Sequence, residues 1–315
     1  MLRFKLAARA SADTDPPAPP APPATAPEGT GPAAAHRLGQ DAWRRFRRNR
    51  AAVLSVGVLT LIILFCVLGP LVLPNHYDST DWSAMSVAPA LAGWHLFGTD
   101  ELGRDLLVRC MTGGRVSLGI GAVATLTSVS LGIAWGAVAG FVGGRTDAWM
   151  MRIVDMMYAI PYLLIAILMV TLLGRDFPLV VLTITAFSWM DMARVVRGQT
   201  LAIRAKEYIE AARAMGVSTT RIVLRHVVPN LLGIVAIYTT ITVPNVILTE
   251  SVLSFLGLGV QEPMTSWGVL IQDGAGVMEA APWMLLFPAA LLSITLYCIN
   301  FIGDGLRDAL DPKDR

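Results

Sequence analysis

Residues able to do covalent or metal chemistry are few in this chain and lie far apart. The four histidines, His36, His76, His95 and His226, fall in a tail and in connecting segments. The cysteines, Cys66, Cys110 and Cys298, form no C-x-x-C pair, and two of them sit inside apolar runs. Packing accounts for such residues better than a disulfide framework or a zinc site. The sequence contains no H-E-x-x-H, no G-x-S-x-G elbow and no G-x-x-x-x-G-K-[ST] phosphate loop. Catalytic, cofactor-binding and metal-binding residues are therefore all expected to be absent. The chemistry that remains is that of charged, glycine-punctuated segments between apolar runs.

The first such segment is Glu207-Tyr208-Ile209-Glu210-Ala211-Ala212-Arg213-Ala214-Met215-Gly216-Val217-Ser218. Tyr208, Ala211, Ala212 and Met215 recur at i, i+3, i+4 and i+7, which predicts an apolar stripe on one helix face. Glu207 and Glu210 suit the positive end of that helix's dipole. Gly216 is placed to stop the helix in a left-handed conformation, and Ser218 to cap a second helix running to Pro229. Periodicity alone fits two readings equally: a helix covering the protein's own loops, or one offered to a partner. The second segment is Gly98-Thr99-Asp100-Glu101-Leu102-Gly103-Arg104-Asp105, followed by Arg109. Thr99 or Asp100 is expected to cap a surface helix to about Arg115, with charge pairs among Asp100, Arg104 and Asp105. A stabilising surface element is a better reading of it than direct substrate contact.

The elements that carry these segments are membrane spans. Of 315 residues, 54% are hydrophobic and 15% charged, against about 25% charged in a soluble domain. Uncharged runs cover Ala51–Leu73, Val116–Gly144, Met156–Gly174, Phe177–Met190, Leu231–Thr249 and Ala280–Gly303. The first, at 23 residues, reaches roughly 35 Å, enough for a hydrocarbon core of about 30 Å. The second is rich in Gly, Ala, Ser and Thr, which suits close helix–helix approach in lipid. Pro161 implies a kink in the third. The fourth is short and spans only if Asp191 and Arg194 sit at an interface. Pro244 and Asn245 interrupt the fifth, and Asp304 closes the sixth. Residues 251–282 are too broken for a further span and fit a re-entrant element. Asp155, Asp191, Glu250 and Asp304 all fall near span ends, which weakens the class of ion-coupled transporters.

Six spans place 21 of the 25 lysines and arginines on one side and four on the other. By the positive-inside rule both termini are cytoplasmic, and the Glu207 segment lies inside while the Gly98 segment lies outside. Residues 1–40 are dominated by Ala and Pro and read as a disordered tail. Residues 41–114 hold a basic segment with Trp43 and Phe46 interleaved, the first span and the outer loop. Residues 115–305 form the main membrane domain, with its cytoplasmic loop at 199–230, and 306–315 a C-terminal tail. The net charge of +2, scattered among spans, gives no basic face for nucleic acid.

Glu210-Ala211-Ala212, Gly216 and the Val228-Pro229-Asn230 junction resemble the EAA loop of bacterial ABC importer permeases. The segment from Phe97 to Arg109 is similar to a hallmark of the oligopeptide and dipeptide permease branch. So are Ser254-Phe255-Leu256-Gly257-Leu258-Gly259, Glu262-Pro263, Trp267-Gly268 and the stretch from Phe301 to Pro312. Together they resemble a C-type membrane subunit of that family over roughly residues 40–315. Val228 stands where the pattern more often has leucine. The resemblance implies an all-α, six-helix type I importer permease in the bacterial inner membrane, moving peptides by alternating access. It implies a homologous second permease, two ATP-binding subunits that carry the ATP and Mg, and a periplasmic or lipid-anchored peptide-binding protein. The Glu207–Gly216 helix would then be the coupling helix that docks on an ATPase subunit. The rivals are a secondary transporter or channel working alone, and a structural membrane scaffold.

Overall fold

A computed structural model describes residues 42–73, 76–91, 95–174 and 176–310. The tail expected over 1–40 lies outside the described residues. A short helical segment over residues 42–48 leads into α1 (Arg50–Val72), where Asn49 Oδ1 caps Ala52 N at 3.1 Å. Then come α2 (Leu106–Val142), α3 (Gly144–Tyr158), α4 (Tyr162–Leu173), α5 (Phe177–Arg204) and α6 (Glu207–Ala214). The chain continues through α7 (Thr219–Ile222), a π-helical turn (Val223–Val227), α8 (Val228–Phe255), α9 (Trp267–Gly276) and α10 (Trp283–Leu310). The described residues are helical apart from connecting segments and one isolated bridge, Thr99 to Asp105. Five helical stretches are long and apolar enough to cross a membrane, six if α3 and α4 count as one broken span.

Several spans differ from their sequence bounds, each for an identifiable reason. Asp105, not Thr99 or Asp100, caps α2, so the expected surface helix is instead the first turns of one 37-residue helix. The kink expected at Pro161 is an 83° break between α3 and α4. The fourth span does not stop at Met190: α5 runs 28 residues, roughly 42 Å, and Asp191 falls at its midpoint. Its charges are held by α3, where Arg197 grips Asp147 at 2.5 and 2.7 Å and Arg194 pairs with Asp155 at 2.7 Å. The helix after Ser218 passes through Pro229, because the π-turn before it absorbs the missing N–H and Asn230 Nδ2 donates to the His226 carbonyl at 2.6 Å. Helix α8 likewise continues through Pro244, and α10 continues past Asp304 to Leu310. Residues 306–310 are thus helix rather than tail.

Small residues set the central packing. Gly132, Gly136 and Gly140 line one edge of α2 against α5. A Cβ on Gly136 would lie 2.4 Å from the Ala193 carbonyl oxygen, and one on Gly140 2.8 Å from that of Arg197. The backbones therefore meet directly, as polar-poor membrane helices do when dispersion is their main attraction. Helix α1 joins through another device. Pro70 has no N–H for the Cys66 carbonyl, and Arg115 Nε of α2 donates to that oxygen at 2.8 Å while Nη2 donates to the Val67 carbonyl. All three cysteines are free and buried.

Candidate functional site

At one end of the bundle, α6 lies against the ends of α2, α5 and α8. Ile209 (0% exposed) and Ala212 (5%) enter an apolar cluster with Phe141, Met192, Val196, Ile222, Val227 and Leu231. The Arg213 guanidinium covers the Phe141 ring at 4.6 Å. The helix stops in a Schellman motif. Gly216 N donates to Arg213 O at 2.9 Å, Val217 N to Ala212 O at 3.1 Å, and Gly216 has φ +76°. Ser218 occupies the N-cap position of α7 without a side-chain capping bond.

The expected apolar stripe divides on inspection. Of Tyr208, Ala211, Ala212 and Met215, only Ala212 is buried, and Ile209 replaces the others on the inward face. Tyr208 (43% exposed), Ala211 and Met215 (76%) point away from the bundle, flanked by exposed Glu207 and Glu210. The helix thus presents a half-apolar, half-acidic outward face, with the Tyr208 ring 6.3 Å from that of His226.

At the opposite end the Gly98–Arg109 segment folds into a charged knot. Asp100 (2% exposed) accepts from Leu102 N at 2.9 Å, Arg104 N at 2.8 Å and Arg104 Nε at 2.6 Å, and from Arg109 Nη1. Arg104 reaches on to Glu262 at 2.8 Å, and Arg109, 2% exposed, stands 3.7 Å from Asp273. Burial disfavours the Arg104 charge, but its bonds to Glu262 and Asp100 outweigh that and hold its pKa above the ordinary value. Burial pushes the Asp273 carboxyl upward, with Arg109 opposing. Asp105 does not pair with Arg104; it caps Val108 N at 3.1 Å and meets His95 Nδ1 at 3.0 Å. Thr99 accepts from Val87 N at 2.8 Å and donates to Ala84 O at 2.5 Å. Gly103 has φ +72°, and a Cβ there would sit 1.8 Å from Asp81 O. The motif is a junction for residues 84–91 and 95–105, α2 and α9, with Glu262 reaching it from an exposed position.

Sequence reasoning gave Glu250 no role. It is 0% exposed on α8 and accepts from Ser117 Oγ at 3.0 Å and Ser254 Oγ at 2.7 Å. Trp267 N donates to that same Ser117 Oγ at 3.2 Å, and Trp267 Nε1 to Cys110 O at 2.9 Å. This polar network pins α9, the element expected to be re-entrant, between α2, α8 and α10. The readable signal was an acid with serines one and four residues later on the same helix.

A family model described as the inner membrane component of binding-protein-dependent transport systems matches residues 132–315. Another, the N-terminal transmembrane domain of oligopeptide transport permease C, matches residues 37–89. The chain is 53% identical over 278 residues to an oligopeptide transport system permease protein of Haemophilus influenzae, covering 88% of this chain and 89% of the relative. It is 55% identical to the corresponding protein of Escherichia coli K12, with 88% and 92% covered. A dipeptide transport system permease protein of Bacillus subtilis is 42% identical, with 88% and 86% covered. Among solved structures, a chain of the MetNI methionine ABC transporter in inward-facing conformations is similar in fold, with TM-score 0.52 and 21% identity, over 64% of this chain and 96% of that one.

Proposed function

The chain belongs to the oligopeptide transport permease C family of ABC importer membrane subunits, and from that premise we propose that it forms half of a peptide conduit and couples it to ATP hydrolysis on partner subunits. It is a multi-pass inner membrane protein. The Ala-Pro-rich N-terminus, α6 and the C-terminus face the cytoplasm, and the Asp100 knot faces outward. Peptides reach it from a periplasmic or lipid-anchored binding protein and pass between it and a homologous second permease. ATP and Mg sit on two ATPase subunits, since the chain has no phosphate loop.

The observation that carries this reading is the division of α6. Ile209 and Ala212 lock it to α2, α5 and α8, while Tyr208, Ala211 and Met215 are left outward. A push on the outward face is delivered to three spans through close-packed side chains, which transmit displacement rather than absorb it. The small Ala211 side chain lets a partner's backbone come near, and Glu207 and Glu210 offer charge to a basic rim. A transporter working alone would have no use for such a face.

The test is reconstitution of the chain with its second permease, the ATPase subunits and the binding protein. The complex is expected to accumulate peptide only with ATP, and Glu210→Lys to lower peptide-stimulated hydrolysis while the complex still assembles. Peptide accumulation by this chain alone would defeat the reading.

A further inference from the structure

The break between α3 and α4 opens onto a cavity of about 320 Å³ lined by Tyr162, Phe187, Ser188, Asp191, Thr242, Asn245 and Thr249, among others. Its height is set by the helices. Asp191 is 13 residues from the Arg204 end of α5 and Asn245 17 residues from the Val228 end of α8, or roughly 20 and 26 Å along the two axes. With the roughly 42 Å α5 centred on a hydrocarbon layer of about 30 Å, its midpoint residue Asp191 lies inside that layer, where a carboxylate cannot face lipid and must meet water or a partner.

The cavity's polar groups are short of partners. Among the described residues Asp191 is bonded only by the neutral Tyr158 hydroxyl. The nearby cation is already engaged: Arg194 pairs with Asp155 at 2.7 Å and stacks on the Tyr158 ring at 4.0 Å. The Tyr162 hydroxyl oxygen is buried without a partner among the described residues. The Ser188 and Thr242 hydroxyls spend their protons on Ile184 O and Tyr238 O, both at 2.8 Å, so toward any occupant they can only accept. Two aromatic rings, Tyr162 and Phe187, stand edge to face at 5.2 Å beside it. The set is rich in acceptors, carries one uncompensated negative charge and has π faces, which together favour a compact cation.

We propose that this cavity is a subsite within the conduit that takes the free α-ammonium group of a passing peptide, with Asp191 as counter-charge and Asn245, Thr242 and Thr249 as hydrogen-bonding partners. It rests on the permease reading above and names which residues of that conduit meet substrate.

The test uses the complete complex in proteoliposomes, with binding protein loaded with a lysine-free peptide carrying a diazirine on its second residue. In the wild type, light during turnover is expected to cross-link peptide within residues 187–191 and 242–249. Asp191→Asn should lower both that cross-link and uptake roughly 10-fold or more, the scale of one lost charge-assisted hydrogen bond. Asn245→Ala, which leaves the Tyr158 contact intact, should lower both to a lesser degree. Tyr158→Phe keeps the carboxylate and should retain uptake. If Tyr158→Phe fails as Asp191→Asn does, Asp191 only clasps α3 and the subsite is refuted. If the wild type transports and Asp191→Asn matches it, the subsite alone is refuted. If the wild-type complex carries no peptide, the permease reading falls and the subsite with it.

Discussion

Substituting Gly216 isolates one link between backbone geometry and transport. The residue has φ +76°, and a Cβ built there has nothing within 4 Å. A side chain therefore costs only its backbone strain, roughly 1–2 kcal/mol for an ordinary L-residue and less for asparagine. The turn is held by two backbone bonds, Gly216 N to Arg213 O and Val217 N to Ala212 O, worth about 0.5–1.5 kcal/mol each. The strain thus nearly cancels what closes the turn, and a 5–30-fold shift in its equilibrium follows. Ile209 and Ala212 still seat α6, so the complex should assemble while the loop entering α7 samples wrong paths. Peptide-stimulated ATP hydrolysis in the reconstituted complex should fall in the order Gly, Asn, Ala, Val, with Ala near half of wild type or below. Equal activity across the series would refute the strain argument. So would equal damage from Asn and Val, which would point to the glycine's lack of bulk instead.

Other substitutions test the packing and the topology. Gly136→Leu drives a Cβ to 2.4 Å from Ala193 O and should cost about 1–3 kcal/mol or separate α2 from α5. Gly119→Ala, with open space around it on the same helix, should stabilise by about 0.5–1 kcal/mol, both read as thermal unfolding of the purified complex. Arg109→Met leaves Asp100 buried with one cation fewer, and should lower stability by about 3 kcal/mol, more than Arg104→Met, whose second partner Glu262 is 62% exposed. For orientation, cysteines at Arg213 and Glu262 are expected to react with an impermeant maleimide from the inside and the outside, respectively. The reverse pattern in intact spheroplasts would invert the topology.

Much of this architecture was legible in the residues, and the failures share a cause. Apolar runs located all five helices long enough to cross a membrane and the bent pair α3–α4, because a crossing segment must be predominantly apolar. Their ends were misplaced where charges are paired across helices: Asp191 and Arg194 looked like a boundary, yet α3 supplies Asp155 and Tyr158 and α5 runs on. Prolines misled similarly, since Pro229 and Pro244 stay inside helices and only Pro161 marks a break. The Asp100 knot was visible as a charged segment, but not as the buried junction made by Glu262 and Asp273, more than 150 residues later. Periodicity found α6 and left open whether its stripe covers the protein or faces a partner; Ile209 and Tyr208 are adjacent in sequence, and only tertiary contacts bury the first and leave the second outward.

The account turns on whether the outward face of α6 is covered by an ATPase subunit. Its direct measurement is the labelling rate of a cysteine replacing Ala211, in a chain whose own cysteines are buried. In the purified permease pair it should react freely with a maleimide, and assembly with the ATPase subunits should suppress that reaction. A cysteine replacing Trp82, 67% exposed at the opposite end, should react at the same rate in both states. An unchanged rate at position 211 in a fully assembled, ATP-hydrolysing complex would contradict the coupling role of α6.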